Sequence, residues 1–382
     1  MAIMGEVSGS CDARFEPVRT VLGDQLESGN ELGASIVVDI DGDTVVDIWG
    51  GWCDADHRSP WTQNTITNVW STTKTVTNLA ALMLVDRGLL DPYSPVAKYW
   101  PEFAENGKEN VEVRHVLSHT SGVSGWEAPF AVEDMYDWDS STRKLAAQEP
   151  WWEPGSASGY HAQNQGHLVG ELVRRVTGKH LKSFVADEIA GPLGADFQIG
   201  AAESDWDRIA PVVPPPPLPF DMGTLDQNGP AFKTFMGPVA DAAAANTPGW
   251  RRADMGAING HGNARSVARI LKSLALGGTV DGVRLLSPET IDVIFDEQSH
   301  GTDLVLGVPL RFGIGYALPE TESVPYVPQG RACYWGGWGG SLILMDLDSR
   351  TTISYMMNKM GAGIIGSDRS ESYTRAIHSC LE

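Results

Sequence analysis

The sequence predicts an α+β protein: an antiparallel sheet drawn from both ends of the chain and flanked by helices, interrupted by a mainly helical insertion. Three observations carry this. Early in the chain, the β-rich runs ASIVVDI and TVVDIWG flank the turn residues DGD, the pattern of a hairpin. Near the end, FGIGYAL, GSLILMD and TTISYMM are again strand-like. Between them, helical patterns such as VRHVLSH and QGHLVGELVRRVTG alternate with long loops. The body is assigned to residues 1–85 and 255–382, and the insertion to residues 86–254.

Taken in order, Phe15, Val18, Val21, Leu22 and Leu26 have helical spacing, and the hairpin follows from Gly33. After Ser71, the apolar positions Val76, Leu79, Ala80, Met83 and Leu84 form one helix face, with Gly88 as its stop. VVPPPPLPF, residues 212–220, reads as a stiff extended connector. NARSVARILKSLALGG is helical again, and a last helix is expected over residues 372–381. No internal repeat interrupts this order.

Bulk properties narrow the function. Lys plus Arg total 28 against 49 for Asp plus Glu, a formal net charge of -21, which disfavours nucleic acid and anionic membrane as partners. No run of 18 residues is apolar and free of charge, so no transmembrane helix is expected. The start, MAIMGEVSGSCDARFEPVRT, lacks a basic head and apolar run, so a cytoplasmic protein without a secretory signal is expected. Cys11, Cys53, Cys333 and Cys380 are scattered with no CxxC pair, which favours reduced thiols and leaves two distant disulfides open.

The chemistry concentrates at VWSTTK. Ser71 and Lys74, at i and i+3, share a helix face, so the amine reaches the hydroxyl. A serine hydroxyl is a weak nucleophile until a base takes its proton, and burial lowers a lysine pKa toward the neutral, accepting form. Spacing alone leaves two candidates, because Ser141 and Lys144 repeat it. That second copy lies among charges in DWDSSTRKLAAQEP and reads as a solvated helix start, whereas an apolar helix follows Ser71. His115 and His119 have the i, i+4 spacing of a metal pair without HExxH, and a structural helix followed by a turn is the better reading. No GxSxG is present, and GWGGS lacks a phosphate-loop lysine. No metal and no organic cofactor is expected.

Several motifs in one order carry a resemblance: VWSTTK, GLLDPYSPVAKYWPEF, VRHVLSHTSGV, WWEPGSASGYHAQNQGHLVGELVRRVTG, NGHGNARSVARILKSLALGG, VRLLSPET and CYWGGWGGSLILMD. The chain resembles the serine β-lactamase and penicillin-binding-protein superfamily, and more specifically the class C-like family VIII carboxylesterases, from about residue 33 to residue 358. The resemblance implies a β-lactamase/transpeptidase-like fold. It also implies Ser71 as nucleophile, Lys74 as its activating partner, and Tyr160 as the second-motif tyrosine that shuttles a proton. Trp335, Gly336 and Gly337 would stand for the third motif and, with His161, contact substrate. The backbone N–H groups of Ser71 and Trp338 would form the oxyanion hole. A packed strand edge bearing two exposed tryptophans is the alternative for the third motif.

Two departures bear on the substrate. Ala162 stands where many β-lactamases have an asparagine, and the third motif lacks the cation that would hold a β-lactam carboxylate. Both favour small neutral esters, cleaved through an acyl-enzyme. The alternatives are a β-lactamase or peptidase, an amide hydrolase, an acyltransferase, and a binding protein that keeps the cleft without catalysis. The expected partner is thus a small-molecule ester, and the oligomeric state stays open.

Overall fold

The computed structural model describes residues 6–217 and 222–381. Its main sheet has six antiparallel strands, in the spatial order Val7–Cys11, Asp43–Gly51, Gly33–Ile40, Thr351–Met357, Leu342–Asp346, Ala332–Gly336. The hairpin expected around Asp41 and Gly42 therefore forms, and its first strand pairs with the late strand Thr351–Met357, Ile36 opposite Tyr355. This is the β-lactamase/transpeptidase-like arrangement of antiparallel sheet and helices that the motifs imply. Both of these central strands are buried almost throughout, which accounts for their continuous apolar runs in place of a strict alternation.

Helices cover the sheet. Helix Ala264–Ala275 packs on the central strands, its Arg265 paired with Asp47 at 2.7 Å and its first N–H, Ala264, donating to Ser35 Oγ. Asn263 and Ser266 close a capping box at its start, which fixes where the helix begins. Helix Glu16–Glu27, carrying buried Val18, Leu22 and Leu26, packs against the closing helix Asp368–Leu381. The closing helix begins four residues before the expected position 372.

At the centre lies helix Thr73–Asp86. All of its residues from 73 to 84 are buried, because it packs against helices Gln165–Thr177, Leu181–Val185 and Ala264–Ala275 and against strand Ala332–Gly336. A helix enclosed on all sides carries apolar and small residues around its whole circumference, as TVTNLAALML does. A small sheet of Thr67–Asn68, Gly260–Gly262 and Gln198–Ile199 sets its entry, with Gly260–Gly262 in the middle.

Three expectations change. FGIGYAL is not one continuous strand: strand Pro309–Phe312 ends at its first residue, Gly313 N–H donates to Tyr316 O to make a turn in which Gly315 has φ +93°, and Ala317 then bridges to Phe312 and to Tyr334 of the edge strand. Ser141 is not at a solvated helix start. It is fully buried in helix Trp138–Ala147, with its hydroxyl donating to Asp134 O, while Lys144 donates to Pro129 O. The edge strand Val7–Cys11 was not foreseen, since VSGSC is mostly exposed and shows no apolar alternation. Within the connector, Val213 bridges to Lys359, and its last residues 218–220 lie outside the described residues, as do residues 1–5 of the expected leaderless start. The four cysteines are free, and among the described residues no helix is long and apolar enough to cross a membrane.

Candidate active site

Ser71 lies two residues before the first residue of the central helix, at its positive end. The chain turns sharply to reach it. Trp70 has φ 50°, a left-handed conformation that costs a bulky residue about 1–3 kcal/mol and persists only when its surroundings impose it. They do so here: Thr73 Oγ1 donates to Trp70 O at 2.5 Å, and the Trp70 ring meets Trp250 and Trp338 edge to face at 5.5 and 5.2 Å.

One helical turn on, Lys74 Nζ stands 3.0 Å from Ser71 Oγ. It donates to Ala162 O at 2.7 Å and to Ala257 O at 3.0 Å. No carboxylate pairs with it among the described residues, and burial alone holds its pKa well below the usual lysine range. Burial thus shifts the amine toward its neutral form.

Tyr160 approaches from the opposite side. Its ring centroid is 4.8 Å from Lys74 Nζ, it lines one cavity with Ser71, and Trp335 Nε1–H donates to its hydroxyl at 3.0 Å. Burial raises the phenol pKa far above its ordinary value. The nearby Ser71 hydroxyl and the Trp335 donor oppose that rise, and the charge of Asp303 adds to it. Behind the ring, His119 packs edge to face at 4.9 Å, and its own pKa is pushed well down by burial and then by His161 and Lys74. His119 is no partner of His115 in a metal pair. The helix ends at Leu117, His119 has φ 64°, and its Nδ1 accepts from His161 N–H at 3.1 Å.

Of the other expected residues, the backbone N–H groups of Ser71 and Trp338 have no acceptor among the described residues, and both residues line one cavity of about 80 Å³. Trp70, Trp250, Phe235, Ile258 and Ile364 supply most of its remaining wall, with Asp241 as its one carboxylate. Trp335 and His161 are not part of that wall. The Trp335 indole is turned to Tyr160, and the His161 ring is engaged by Ser121 Oγ at 2.6 Å and Gly159 O at 2.7 Å. Nor do Gly336 and Gly337 line it. The close approach that Gly337 permits is to the nucleophile turn, since a Cβ there would fall 2.6 Å from Val69 O and 3.0 Å from Trp70 Cβ. A larger cleft of about 560 Å³ lies elsewhere, beside residues 359–371, and contains none of this chemistry.

A family model described as Beta-lactamase matches residues 18–369. The chain belongs to the beta-lactamase family. It is 32% identical to the esterase/beta-lactamase LipL of Mycobacterium tuberculosis over 375 residues, covering 95% of this chain and 86% of LipL. It is also similar to a solved family VIII carboxylesterase, at 38% identity and a TM-score of 0.92 over 98% of this chain and 100% of the other. A solved penicillin-binding protein homologue from Caulobacter crescentus gives 38% identity and a TM-score of 0.90, again over 98% and 100% of the two chains.

In this beta-lactamase-family protein, sequence reasoning missed the groups that condition the site. The carbonyls of Ala162 and Ala257 hold Lys74, but a main-chain acceptor leaves no residue-type signal. Asp303, whose carboxylate accepts the Tyr160 N–H at 3.0 Å, lies in an unremarked loop far along the chain. The Trp335 donor was readable only as an aromatic beside two glycines.

Proposed function

We propose that the protein is a serine carboxylesterase acting through an acyl-enzyme. The observation that carries this is the environment of Lys74. A neutral amine has two N–H groups and one lone pair. Ala162 O and Ala257 O take the two N–H groups, and the lone pair is left for the Ser71 hydroxyl 3.0 Å away. Ser71 Oγ then attacks the ester carbonyl as its proton passes to Lys74. The N–H groups of Ser71 and Trp338 receive the developing oxyanion. Tyr160, kept as a neutral phenol, gives its proton to the departing alkoxide and is reprotonated by Lys74 with the proton that Lys74 took from Ser71, the amine standing 4.8 Å from the Tyr160 ring centroid. Water repeats the sequence on the acyl-enzyme.

The cavity supports a neutral ester over a β-lactam. No Lys or Arg is among its lining residues, and its only charged wall residue, Asp241, repels a carboxylate. Four free cysteines support a reducing, cytoplasmic setting, and the net charge of -21 supports a small uncharged partner. A serine-directed phosphonate should label Ser71. Ser71→Ala should remove labelling and nearly all ester turnover, whereas Ser141→Ala should keep the label. Small neutral nitrophenyl esters should exceed a cephalosporin in kcat/KM by roughly a hundredfold, about 3 kcal/mol of transition-state binding. Equal rates on both substrates would replace the esterase reading with a β-lactamase one.

A further inference from the structure

Tyr160 sits in irregular chain, so neither helix nor strand fixes its position. Its main chain is held by a side chain 143 residues further on, the Tyr160 N–H donating to Asp303 Oδ1 at 3.0 Å. The same oxygen accepts from the N–H groups of Val305 and Leu306, both at 2.9 Å. Leu304 N–H donates in turn to Ser158 O at 2.8 Å, so the two loops are tied twice. Asp303 is fully buried, has no ion-pair partner among the described residues, and its Oδ2 has no hydrogen-bond partner there. A buried carboxylate without a cation is costly, and neither the local turn nor core packing requires one. A serine hydroxyl would satisfy the Val305 and Leu306 donors within the same turn, but it is too short to reach Tyr160.

We propose that Asp303 is a positioning residue for Tyr160, a role that rests on the esterase reading: its Oδ1 holds the Tyr160 main chain where the phenol meets both Ser71 and the leaving oxygen. The other groups that face Tyr160 are Lys74, His119, Trp335 and Ser71, and they hold the ring and hydroxyl. Asp303 holds the backbone.

Leaving-group dependence separates this role from a merely structural one. An alkoxide must receive a proton as it departs, whereas nitrophenolate leaves without one. A misplacement of the acid by about 1 Å costs on the order of a hundredfold. The experiment compares ethyl butyrate with p-nitrophenyl butyrate, which share an acyl group, by kcat/KM on folded protein. Asp303→Ser should lower kcat/KM about a hundredfold for the ethyl ester and less than about tenfold for the nitrophenyl ester. Asp303→Asn, which keeps the acceptor, should restore most of the loss. If the serine variant does not fold, Asp303→Glu keeps the charge but moves the oxygen by one methylene, and must show the same split. Equal losses on both esters, or an asparagine variant as poor as the serine one, would overturn the role of Asp303 while leaving the esterase reading intact. Native protein that cleaves neither ester and is not labelled at Ser71 would overturn the esterase reading itself.

Discussion

Two carbonyls and the Ser71 hydroxyl surround the Lys74 amine and no anion does among the described residues, so in the proposed mechanism its protonation state decides what Ser71 can do. Lys74→Ala and Tyr160→Phe should each lower ester turnover by at least about a hundredfold, the ordinary size of a general acid or base contribution. Because the two share one proton path in the proposed mechanism, the double variant should lose much less than the product of the single losses, a cycle measured by kcat. The sign of the pH dependence follows from the same geometry. Lys74 accepts a proton only when neutral, so kcat/KM should fall as pH drops through its lowered pKa and reach a plateau above it. In the proposed mechanism Tyr160 works as a protonated phenol, and its pKa is raised, so no descending limb should appear near the ordinary tyrosine value of about 10. His119 and His161 are both held neutral by burial and should add no limb of their own. A descending limb well below pH 10 would mean that some protonated group other than a phenol of raised pKa is required. Substituting His119 without changing the acid limb would keep that limb with Lys74.

Between elements, the decisive contact is the crossing of helix Gln165–Thr177 with the loop before strand Gly260–Gly262. A Cβ on Gly166 would fall 2.3 Å from Ala257 N and 2.5 Å from Gly256 C. Both atoms are backbone, so the loop itself would have to move. Ala257 is also the residue whose carbonyl accepts from Lys74. Gly166→Ala should therefore act twice. It should destabilise the fold by about 1–3 kcal/mol through overpacking, read as a lower Tm, and lower kcat at temperatures where the protein is still folded. A variant with reduced Tm but native kcat would show that the Ala257 carbonyl can shift without disturbing Lys74.

Over the whole molecule, the two ends of the chain meet at one buried charge cluster. Glu31 accepts from Arg369 Nη1 at 2.5 Å, from the Tyr355 hydroxyl at 2.6 Å and from the Tyr373 hydroxyl at 3.1 Å. Arg369 Nη2 also donates to Gly339 O and Lys359 O, so it joins the closing helix, the third-motif loop and the segment after strand Thr351–Met357. Removing one partner of such a pair strands the other without compensation. Arg369→Met should cost about 3–5 kcal/mol in urea unfolding, and adding Glu31→Gln should recover part of it. A single-variant loss below about 1 kcal/mol would mean that water reaches Glu31 once the arginine is gone.

Periodicity and turn chemistry were enough for the hairpin around Asp41 and Gly42, the helix after Ser71 and the helix after Asn263, because each is specified by residues within one or two turns of itself. The Ser71–Lys74 relation was legible for the same reason, being a spacing within a single helix. Pairing between distant segments was not. Only the tertiary structure set strand Gly33–Ile40 against Thr351–Met357, buried Ser141 and broke FGIGYAL into a turn from which Ala317 alone bridges to Tyr334 at the sheet edge, since each outcome depends on what packs alongside. The protonation of the site is likewise a tertiary property. The sequence supplies the serine, the lysine and the phenol, but desolvation lowers the lysine pKa, two distant carbonyls accept its N–H groups, the Trp335 indole donates to the phenol, and the Asp303 carboxylate accepts the Tyr160 N–H.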